Sequence, residues 1–354
     1  MNTKIAVLGA GCSHSCGYPL ANQMKDHLRD FAESVKTSAP KLHKLACDTV
    51  GLFDKLAAQG CPAQTIDDLA WLIHQHKIPV KSGTFKDEQA YRLVEEAKTV
   101  VSAMFLAKEN DSTAKSLAGY RNLLRRIFPN GTRYDDAHRQ SPWRVLTFNY
   151  DRLFEMAFRQ HFDVHPTMAF YDQSVLNSGL YPLAAEKVEI DTSRFSLLKL
   201  HASAGFSSIE EYGDCHHYHM TPDLLQPAPI ADETFFFGNG HGIYSNRIKP
   251  SLIVFPHEKN HLKEYPGNKL PFRTYIPRIW DAARTFVSEA EEIQIIGYSI
   301  AEPDWEAFGE LLRAAEGCSR IIVKNPQAAK VCNNLGELLP NFAGEIRPVE
   351  AVFE

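Results

Sequence analysis

Short apolar runs alternate with longer amphipathic segments through much of this sequence. Six of these runs are predicted to be buried strands, because each is rich in apolar or β-branched residues and ends in glycine, proline or polar residues. The predicted strands are 4–8, 143–148, 195–200, 252–255, 293–296 and 320–323. Helical periodicity follows or precedes most of them, as in 24–35, 152–159 and 275–290. The alternation from residue 143 onward predicts a doubly wound, mostly parallel α/β sheet.

The region between the first two predicted strands has a different pattern. Four helical segments follow one another there, with short breaks of glycine, proline or polar residues: 42–58, 66–76, 88–108 and 114–128. We therefore expect a single domain over residues 1–354, with a core of 1–40 and 141–354 and a helical insertion at 41–128. A long irregular loop is expected at 206–248.

Composition is typical of an ordinary globular protein, with 44% hydrophobic and 23% charged residues in a chain of 354. The net charge of -5 argues against an electrostatic attachment to nucleic acid or to an anionic membrane. The sequence contains neither an apolar run of about eighteen residues nor the pattern of a secretory signal. The expected location is therefore the cytoplasm, with no membrane partner.

The cysteines predict reduced thiols and no structural metal. There are seven, they are scattered, and none forms a C-x-x-C pair. One cluster, Cys215 with His216, His217 and His219, could bind zinc, but adjacent side chains point apart and no second ligand pair is visible. An exposed loop or an interface is the simpler interpretation of this cluster.

A glycine-rich turn, Gly9–Gly11, directly follows the first predicted strand. Backbone N–H groups in such a turn can approach a phosphate closely, and the start of the next helix adds a positive dipole. Pro19 is expected in the first turn of that helix. The ordinary dinucleotide fingerprint has a third glycine where this chain has His14, so a tight turn without a ligand is the alternative.

Polar residues also follow two other predicted strands. Asn149 and Asp151 follow the strand at 143–148, and His201 follows the strand at 195–200. Ligands of α/β sheets bind at this carboxyl edge. Each residue also has a structural alternative: Asn149 as a helix N-cap, Asp151 as a partner of the helix dipole, and His201 as a hydrogen-bonded strand-end histidine.

Five motifs, taken in order, resemble the sirtuin family, and most closely its bacterial members in anti-phage defence. They are Gly9-Ala10-Gly11-x-Ser13, Thr147-x-Asn149-x-Asp151, Leu198-Lys199-Leu200-His201, Gly297-Tyr298-Ser299 and Asn325-Pro326. The matches span residues 9 to 326, and each lies at the end of a predicted strand. The resemblance implies a Rossmann-like fold that takes NAD+ as its substrate.

The resemblance also implies a role for each matched residue. The diphosphate would be held by Gly9, Ala10, Gly11 and Ser13, and the adenosine half by Gly297, Ser299 and Asn325. Asn149 and Asp151 would lie near the nicotinamide ribose, and His201 would be the general base. Cleavage of the nicotinamide–ribose bond needs no metal, because the leaving group is already cationic and a base can activate the incoming nucleophile.

Two departures from the family bear on the acceptor. Sirtuin deacylases carry four zinc-binding cysteines after the histidine, whereas Cys215 is the only cysteine between His201 and Cys318 here. The family also has glycine after that histidine, where this chain has Ala202. The leading hypothesis is an NAD+ glycohydrolase that releases nicotinamide and ADP-ribose and acts in defence, through abortive infection, by depleting NAD+. A protein deacylase, an ADP-ribosyltransferase and a non-catalytic sensor of NAD+ or ADP-ribose remain alternatives.

An enzyme that destroys NAD+ has to be restrained, and no separate regulatory domain is visible in the sequence. We therefore expect a homo-oligomer and a partner protein that acts as a sensor or ATPase. The insertion at 41–128 and the loop at 206–248 are candidates for gating. Within that loop, Phe235-Phe236-Phe237 would be an interface patch if exposed, or part of the core if buried.

Overall fold

The computed structural model describes residues 3–75, 86–112, 117–129, 132–133, 136, 141–162, 195–211, 215–220, 230–236, 248–249, 251, 253–261 and 272–353. The chain forms two compact units. The first comprises Met1–Gly17, Lys115–Ala202 and Phe272–Glu354, and the second comprises Tyr18–Ala114 and Ser203–Pro271. The expectation of a single domain stays a prediction.

Eight strands are present in the described ranges. They are β1 (Thr3–Leu8), β2 (Trp143–Thr147), β3 (Leu197–Lys199), β4 (Phe206–Glu211), β5 (Cys215–Met220), β6 (Ala290–Ile296), β7 (Arg320–Lys324) and β8 (Glu345–Val349). The helices are α1 (Ala10–His14), α2 (Met24–Ser34), α3 (Pro40–Ala58), α4 (Ile66–His74), α5 (Lys86–Ser112), α6 (Ala118–Ile127), α7 (Leu153–Phe162), α8 (Asp232–Phe235), α9 (Pro256–His261), α10 (Phe272–Ser288), α11 (Trp305–Arg313) and α12 (Ala328–Leu338).

The first unit is built on a six-stranded sheet in the order β3-β2-β1-β6-β7-β8. All of its paired strands are parallel, which confirms the predicted doubly wound α/β class. From β1 the chain moves to β2 and β3 on one side, then crosses to β6 and continues to β7 and β8 on the other. The direction of winding therefore changes between β1 and β6. Doubly wound sheets bind their ligands outside the carboxyl ends of the strands at this change.

Burial on both faces explains why the central strands were recognisable. In β1 the residues Ile5, Ala6 and Val7 are fully buried, and β6 likewise carries a nearly continuous buried run. A parallel strand covered on both faces has no polar alternation, so a short continuous apolar run is its signature. The core of the first unit lies along these two strands.

One predicted strand is wrong. Residues 253–255 form no strand, although Ile253, Val254 and Phe255 are buried, and they belong to the second unit. A short apolar run does not by itself distinguish a strand from a buried irregular segment. The sixth place in the sheet is taken by β8, which the prediction missed. Its residues are largely exposed, and Pro348 is tolerated because β8 is an edge strand.

The predicted helices are present, with ends shifted by a few residues, but the start of the first one was misplaced. Helix α1 begins at Ala10, immediately after Gly9, and a 3₁₀ turn at Ala21–Gln23 precedes α2. Pro19 therefore lies between helices and not in a first helical turn. No helix in the described ranges is both long and apolar enough to cross a lipid bilayer.

The second unit combines α2 to α5 with an antiparallel hairpin of β4 and β5, which lies in a region expected to be irregular. The Cys215–His219 cluster falls on β5, and its side chains lie outside the described part of the structure. Phe235 and Phe236 are buried in this unit, so these two do not form the exposed patch that was considered; Phe237 lies outside the described residues.

Candidate functional site

The glycines that follow β1 bond through their backbone amides to the segment at the end of β6. The amide of Gly9 donates to the carbonyl of Ile296 at 3.0 Å, and the amide of Gly11 donates to that of Gly297 at 2.8 Å. A Cβ on Gly9 would lie 2.5 Å from the Cα of Tyr298, and one on Gly297 would lie 2.5 Å from the amide nitrogen of Cys12. Gly297 also has a φ of +62°, which favours glycine. Packing alone therefore requires these glycines.

The hydroxyl of Ser13 joins three of the side chains at this edge. It donates to Oδ2 of Asp151 at 2.6 Å and accepts from Nδ2 of Asn149 at 3.2 Å. The hydroxyl of Tyr120 lies 2.7 Å away. Burial raises the pKa of Tyr120 well above its usual value, so the phenol keeps its proton. Since the single proton of Ser13 goes to Asp151, Tyr120 donates to Ser13.

Asn149 ties this network to the glycine turn. Its Nδ2 also donates to the carbonyl of Gly9 at 3.0 Å, and its own amide donates to Oγ1 of Thr147 at 3.1 Å. Asn149 is buried, as is Ser13. The polar side chains that follow β1 and β2 are therefore brought together, and Asn149 bonds the two strand ends to each other.

Asp151 is a buried carboxylate at the start of α7. Its Oδ1 accepts from the amide of Leu153 at 3.1 Å, so Asp151, rather than Asn149, makes the capping contact.

Burial raises the pKa of Asp151 to about 6, against the opposing effects of nearby Lys199 and of the Ser13 hydroxyl. Lys199 is itself buried, and donates to Glu155 at 3.0 Å and to the carbonyl of Asp151.

His201 lies just after β3, in the turn that begins at Leu200, and it faces a second buried carboxylate. Its Nε2 lies 3.1 Å from Oδ1 of Asp304, and Oδ2 of Asp304 accepts from the hydroxyl of Tyr298 at 2.8 Å. His201 is 3% exposed and Asp304 is 1% exposed. An imidazole oriented by a buried carboxylate is the arrangement found in general bases of hydrolytic enzymes.

The aromatic ring of Phe148 connects the two halves of this edge. Phe148 stacks on Tyr298 with ring centroids 4.2 Å apart and planes 9° from parallel. The same ring meets the imidazole of His201 edge-on at 5.1 Å. Because Asn149 follows Phe148 in the chain, the network at Ser13 and the pair at His201 belong to one continuous cluster.

Two residues beside this cluster have strained backbones. Ala202, which follows His201, has a φ of 58°, and Ile300, which follows Ser299, has a φ of 59°. They are the only non-glycine residues with positive φ among those that the structure describes. Such a conformation costs about 1–3 kcal/mol and is rarest for β-branched residues like isoleucine. Alanine thus occupies position 202 in a conformation that suits glycine.

The residues predicted for the adenosine half are only partly joined to the cluster. Asn325 donates from Nδ2 to the carbonyl of Tyr298 at 3.3 Å, and its Oδ1 accepts from the amide of Gln327. Ser299 and Ala10 are exposed at this edge. The binding role of each predicted residue remains a prediction.

The comparisons with known proteins give a similarity among solved structures alone. No family model matches the chain, and no curated protein matches it. Among solved structures, the chain is similar to one titled "Structure of Sir2Tm bound to a propionylated peptide". The match has 14% sequence identity and a TM-score of 0.37, and it covers 99% of this chain and 88% of that one. Sir2Tm is a sirtuin, and at this score the similarity supports no inference about activity.

Sequence reasoning missed several members of the cluster. Tyr120 contacts Ser13, Asp304 contacts His201, and the carbonyl of Tyr298 accepts from Asn325. Tyr120 lies on α6, whereas Tyr298 and Asp304 lie on the segment after β6. The only signal for Asp304 was its position at the start of a helix, after Pro303. In the described part of the chain, no group of three His, Cys, Asp or Glu side chains is arranged to hold a metal ion.

Proposed function

We propose that this chain is an NAD+ hydrolase, which cleaves the bond between nicotinamide and ribose and transfers the ADP-ribosyl group to water. The observation that carries the proposal is the hydrogen bond between buried His201 and buried Asp304 at the carboxyl edge of the sheet, beside Asn149. This pair supplies an oriented base, and the winding of the sheet changes direction close by, between β1 and β6.

The main requirement of the proposed reaction is a base that takes a proton from water, and the His201–Asp304 pair provides one. The electron pair of the C1′–N bond leaves with nicotinamide, which becomes neutral, and the oxygen of water bonds to C1′. His201 takes the proton that this water loses. The transition state has oxocarbenium character, so a positioned base and oriented dipoles are the protein's main contributions. Asn149 would lie near the ribose, and the exposed residues Ala10 and Ser299 would face the rest of the dinucleotide.

The test is the release of nicotinamide and ADP-ribose from NAD+ by the purified chain, followed by chromatography. His201→Asn should lower the rate by about 10²- to 10⁴-fold, the usual contribution of a general base. His161→Asn, the same change on α7 of the same unit, should leave the rate unchanged. Equal rates for the parent and the His201→Asn protein would contradict the assignment.

The same assay separates the alternatives when an acylated peptide is added. Loss of the acyl group with formation of acyl-ADP-ribose would indicate a deacylase, and ADP-ribose attached to protein would indicate a transferase. Binding of NAD+ without release of nicotinamide, alone or with a partner, would indicate a sensor. Free ADP-ribose in amounts equal to nicotinamide is the expected result.

We also propose that the activity serves anti-phage defence through NAD+ depletion and that assembly switches it on. The support is the need to restrain such an enzyme, together with the sequence resemblance. Because Phe235 and Phe236 are buried, they no longer support an interface in the loop at 206–248. A dilution series of the pure chain, with and without the protein encoded beside it, tests this proposal. A high specific activity that is independent of concentration and of the partner would contradict it.

A further inference from the structure

We propose that Asp304 is a positioning residue: it holds the imidazole of His201 with a proton on Nε2, so that Nδ1 is the nitrogen that accepts the proton in the reaction. The two residues are 103 positions apart and meet only because β3 and the segment after β6 end at the same edge of the sheet. The role of Nδ1 in turnover rests on the proposed function. The orientation of the imidazole does not.

The hydrogen bonds of Asp304 determine which nitrogen carries the proton. Oδ2 accepts from the hydroxyl of Tyr298, and Oδ1 faces Nε2 of His201. Burial raises the pKa of Tyr298 well above its usual value, so the phenol is a donor here. In the proposed arrangement Asp304 is ionised. Such a carboxylate can only accept, so Nε2 of His201 is the donor.

The carboxylate of Asp304 is held in place from several directions. It lies in a 3₁₀ turn, Glu302–Asp304, whose amide at Asp304 donates to the carbonyl of Ala301 at 2.9 Å. Tyr298 is fixed in turn by its stacking on Phe148, and the edge contact between Phe148 and the imidazole restricts the ring of His201. Rotation of the imidazole would break the bond to Asp304 and this edge contact together.

This orientation has a chemical consequence for the base. A neutral imidazole carries one N–H group and one lone pair, so a proton held on Nε2 places the lone pair on Nδ1. When Nδ1 takes a proton, the imidazolium is stabilised by the adjacent carboxylate, as in hydrolytic triads. Asp304 thus acts through His201 and does not need to touch the substrate.

The change Asp304→Asn should reverse the tautomer. Tyr298 continues to donate its hydroxyl proton, so it takes the amide oxygen of the new side chain and leaves the amide nitrogen facing Nε2. That nitrogen can only donate. The proton of the imidazole then moves to Nδ1, and the lone pair no longer lies on the nitrogen assigned to the reaction.

The first measurement does not require the protein to be catalytically active. Nitrogen NMR of protein labelled in its histidines reports which imidazole nitrogen carries a proton, and His201→Asn assigns the signal among the 15 histidines. The parent should show His201 protonated at Nε2, and the Asp304→Asn protein should show it protonated at Nδ1. A parent protonated at Nδ1, or an Asp304→Asn protein that keeps the proton on Nε2, would overturn the proposal. If the variant does not fold, the measurement on the parent still decides.

The second measurement is the split between kcat and KM for nicotinamide release. Asp304→Asn should lower kcat by about 10⁴-fold, the loss seen when a triad aspartate becomes asparagine, with little change in KM. Glu292→Gln makes the same chemical change at another buried carboxylate, on the same sheet but toward the start of β6, and should leave kcat unaltered. An unchanged kcat in the Asp304→Asn protein would overturn the proposal.

The two measurements separate this inference from the proposed function. If the tautomer reverses as expected but the parent releases no nicotinamide, the positioning role stands and the proposed hydrolase is wrong. If nicotinamide is released with His201 protonated at Nδ1, the hydrolase stands and the positioning role is wrong.

Discussion

The hydroxyl of Ser13 donates a 2.6 Å hydrogen bond to Oδ2 of Asp151, and this bond lies inside the protein. Despite that donor, burial raises the pKa of Asp151 from 3.8 to about 6. Between these two values the folded protein binds more protons than the unfolded chain. The contribution of Asp151 to the free energy of unfolding therefore falls as pH rises from about 4 to 6 and is level above that window.

Removing this titration should be visible in unfolding experiments. Because a tenfold change in a proton-binding constant corresponds to about 1.4 kcal/mol, the contribution of Asp151 is on the order of 3 kcal/mol. Asp151→Asn does not titrate, so its free energy of unfolding relative to the parent should rise by that amount between pH 4 and pH 7. Urea unfolding across this range measures the difference. Parallel curves for the two proteins would show that Asp151 titrates normally.

Asn149→Ala should destabilise the protein as well as impair any activity. The change removes donors to the carbonyl of Gly9 and to the hydroxyl of Ser13, and both residues are buried. Leaving such groups unpaired costs about 1–3 kcal/mol. Chemical denaturation measures the loss, and the exposed Asn122→Ala provides the control, with an effect within about 0.5 kcal/mol. Equal stability of the parent and the Asn149→Ala protein would mean that these bonds are replaced by water.

Gly297→Ala should be among the most destabilising single changes in the sheet. The new Cβ would lie 2.5 Å from the amide nitrogen of Cys12, in a backbone conformation that already disfavours alanine. We expect a loss of at least about 2 kcal/mol. Gly336→Ala is the matched control, because that glycine lies in α12 with open space around it and should gain up to about 1 kcal/mol. Similar melting temperatures for the two variants would contradict the close contact.

Ala202→Gly should stabilise the protein. Glycine relieves a left-handed conformation that costs alanine about 1–2 kcal/mol. About half of this gain is offset, because glycine increases the conformational entropy of the unfolded chain. The net gain should be about 0.5–1 kcal/mol in urea unfolding. A loss of stability would mean that the methyl group of Ala202 packs well enough to outweigh the strain.

How far the fold could be predicted depended on how each strand is buried. The buried interiors of β1 and β6 made these strands recognisable, because both faces of a parallel sheet exclude polar residues. The edge strand β8 was missed because its residues are largely exposed and include Pro348, so it has no continuous apolar run. The apolar run at 253–255 was mistaken for a strand because burial alone does not specify a sheet.

The site was predictable only where its residues follow a strand directly. Asn149, Asp151 and His201 could be placed at the carboxyl edge in this way. Their partners could not, because Asp304 reaches His201 through the winding of the sheet, and its position at the start of a helix does not indicate that contact. Sequence spacing gives the candidates for chemistry, whereas the orientation of an imidazole depends on contacts between segments that are far apart in the chain.

The glycine contact between the turns after β1 and β6 affects how related sequences should be searched. Gly9, Gly11 and Gly297 are required by the approach of one backbone to another, so a chain that closes its sheet in this way needs them whether or not it binds a dinucleotide. A search profile weighted on these glycines would collect proteins that share a strand crossover. One weighted on the positions of His201 and Asp304 would collect proteins that share a base, and the second set is where shared chemistry should be sought.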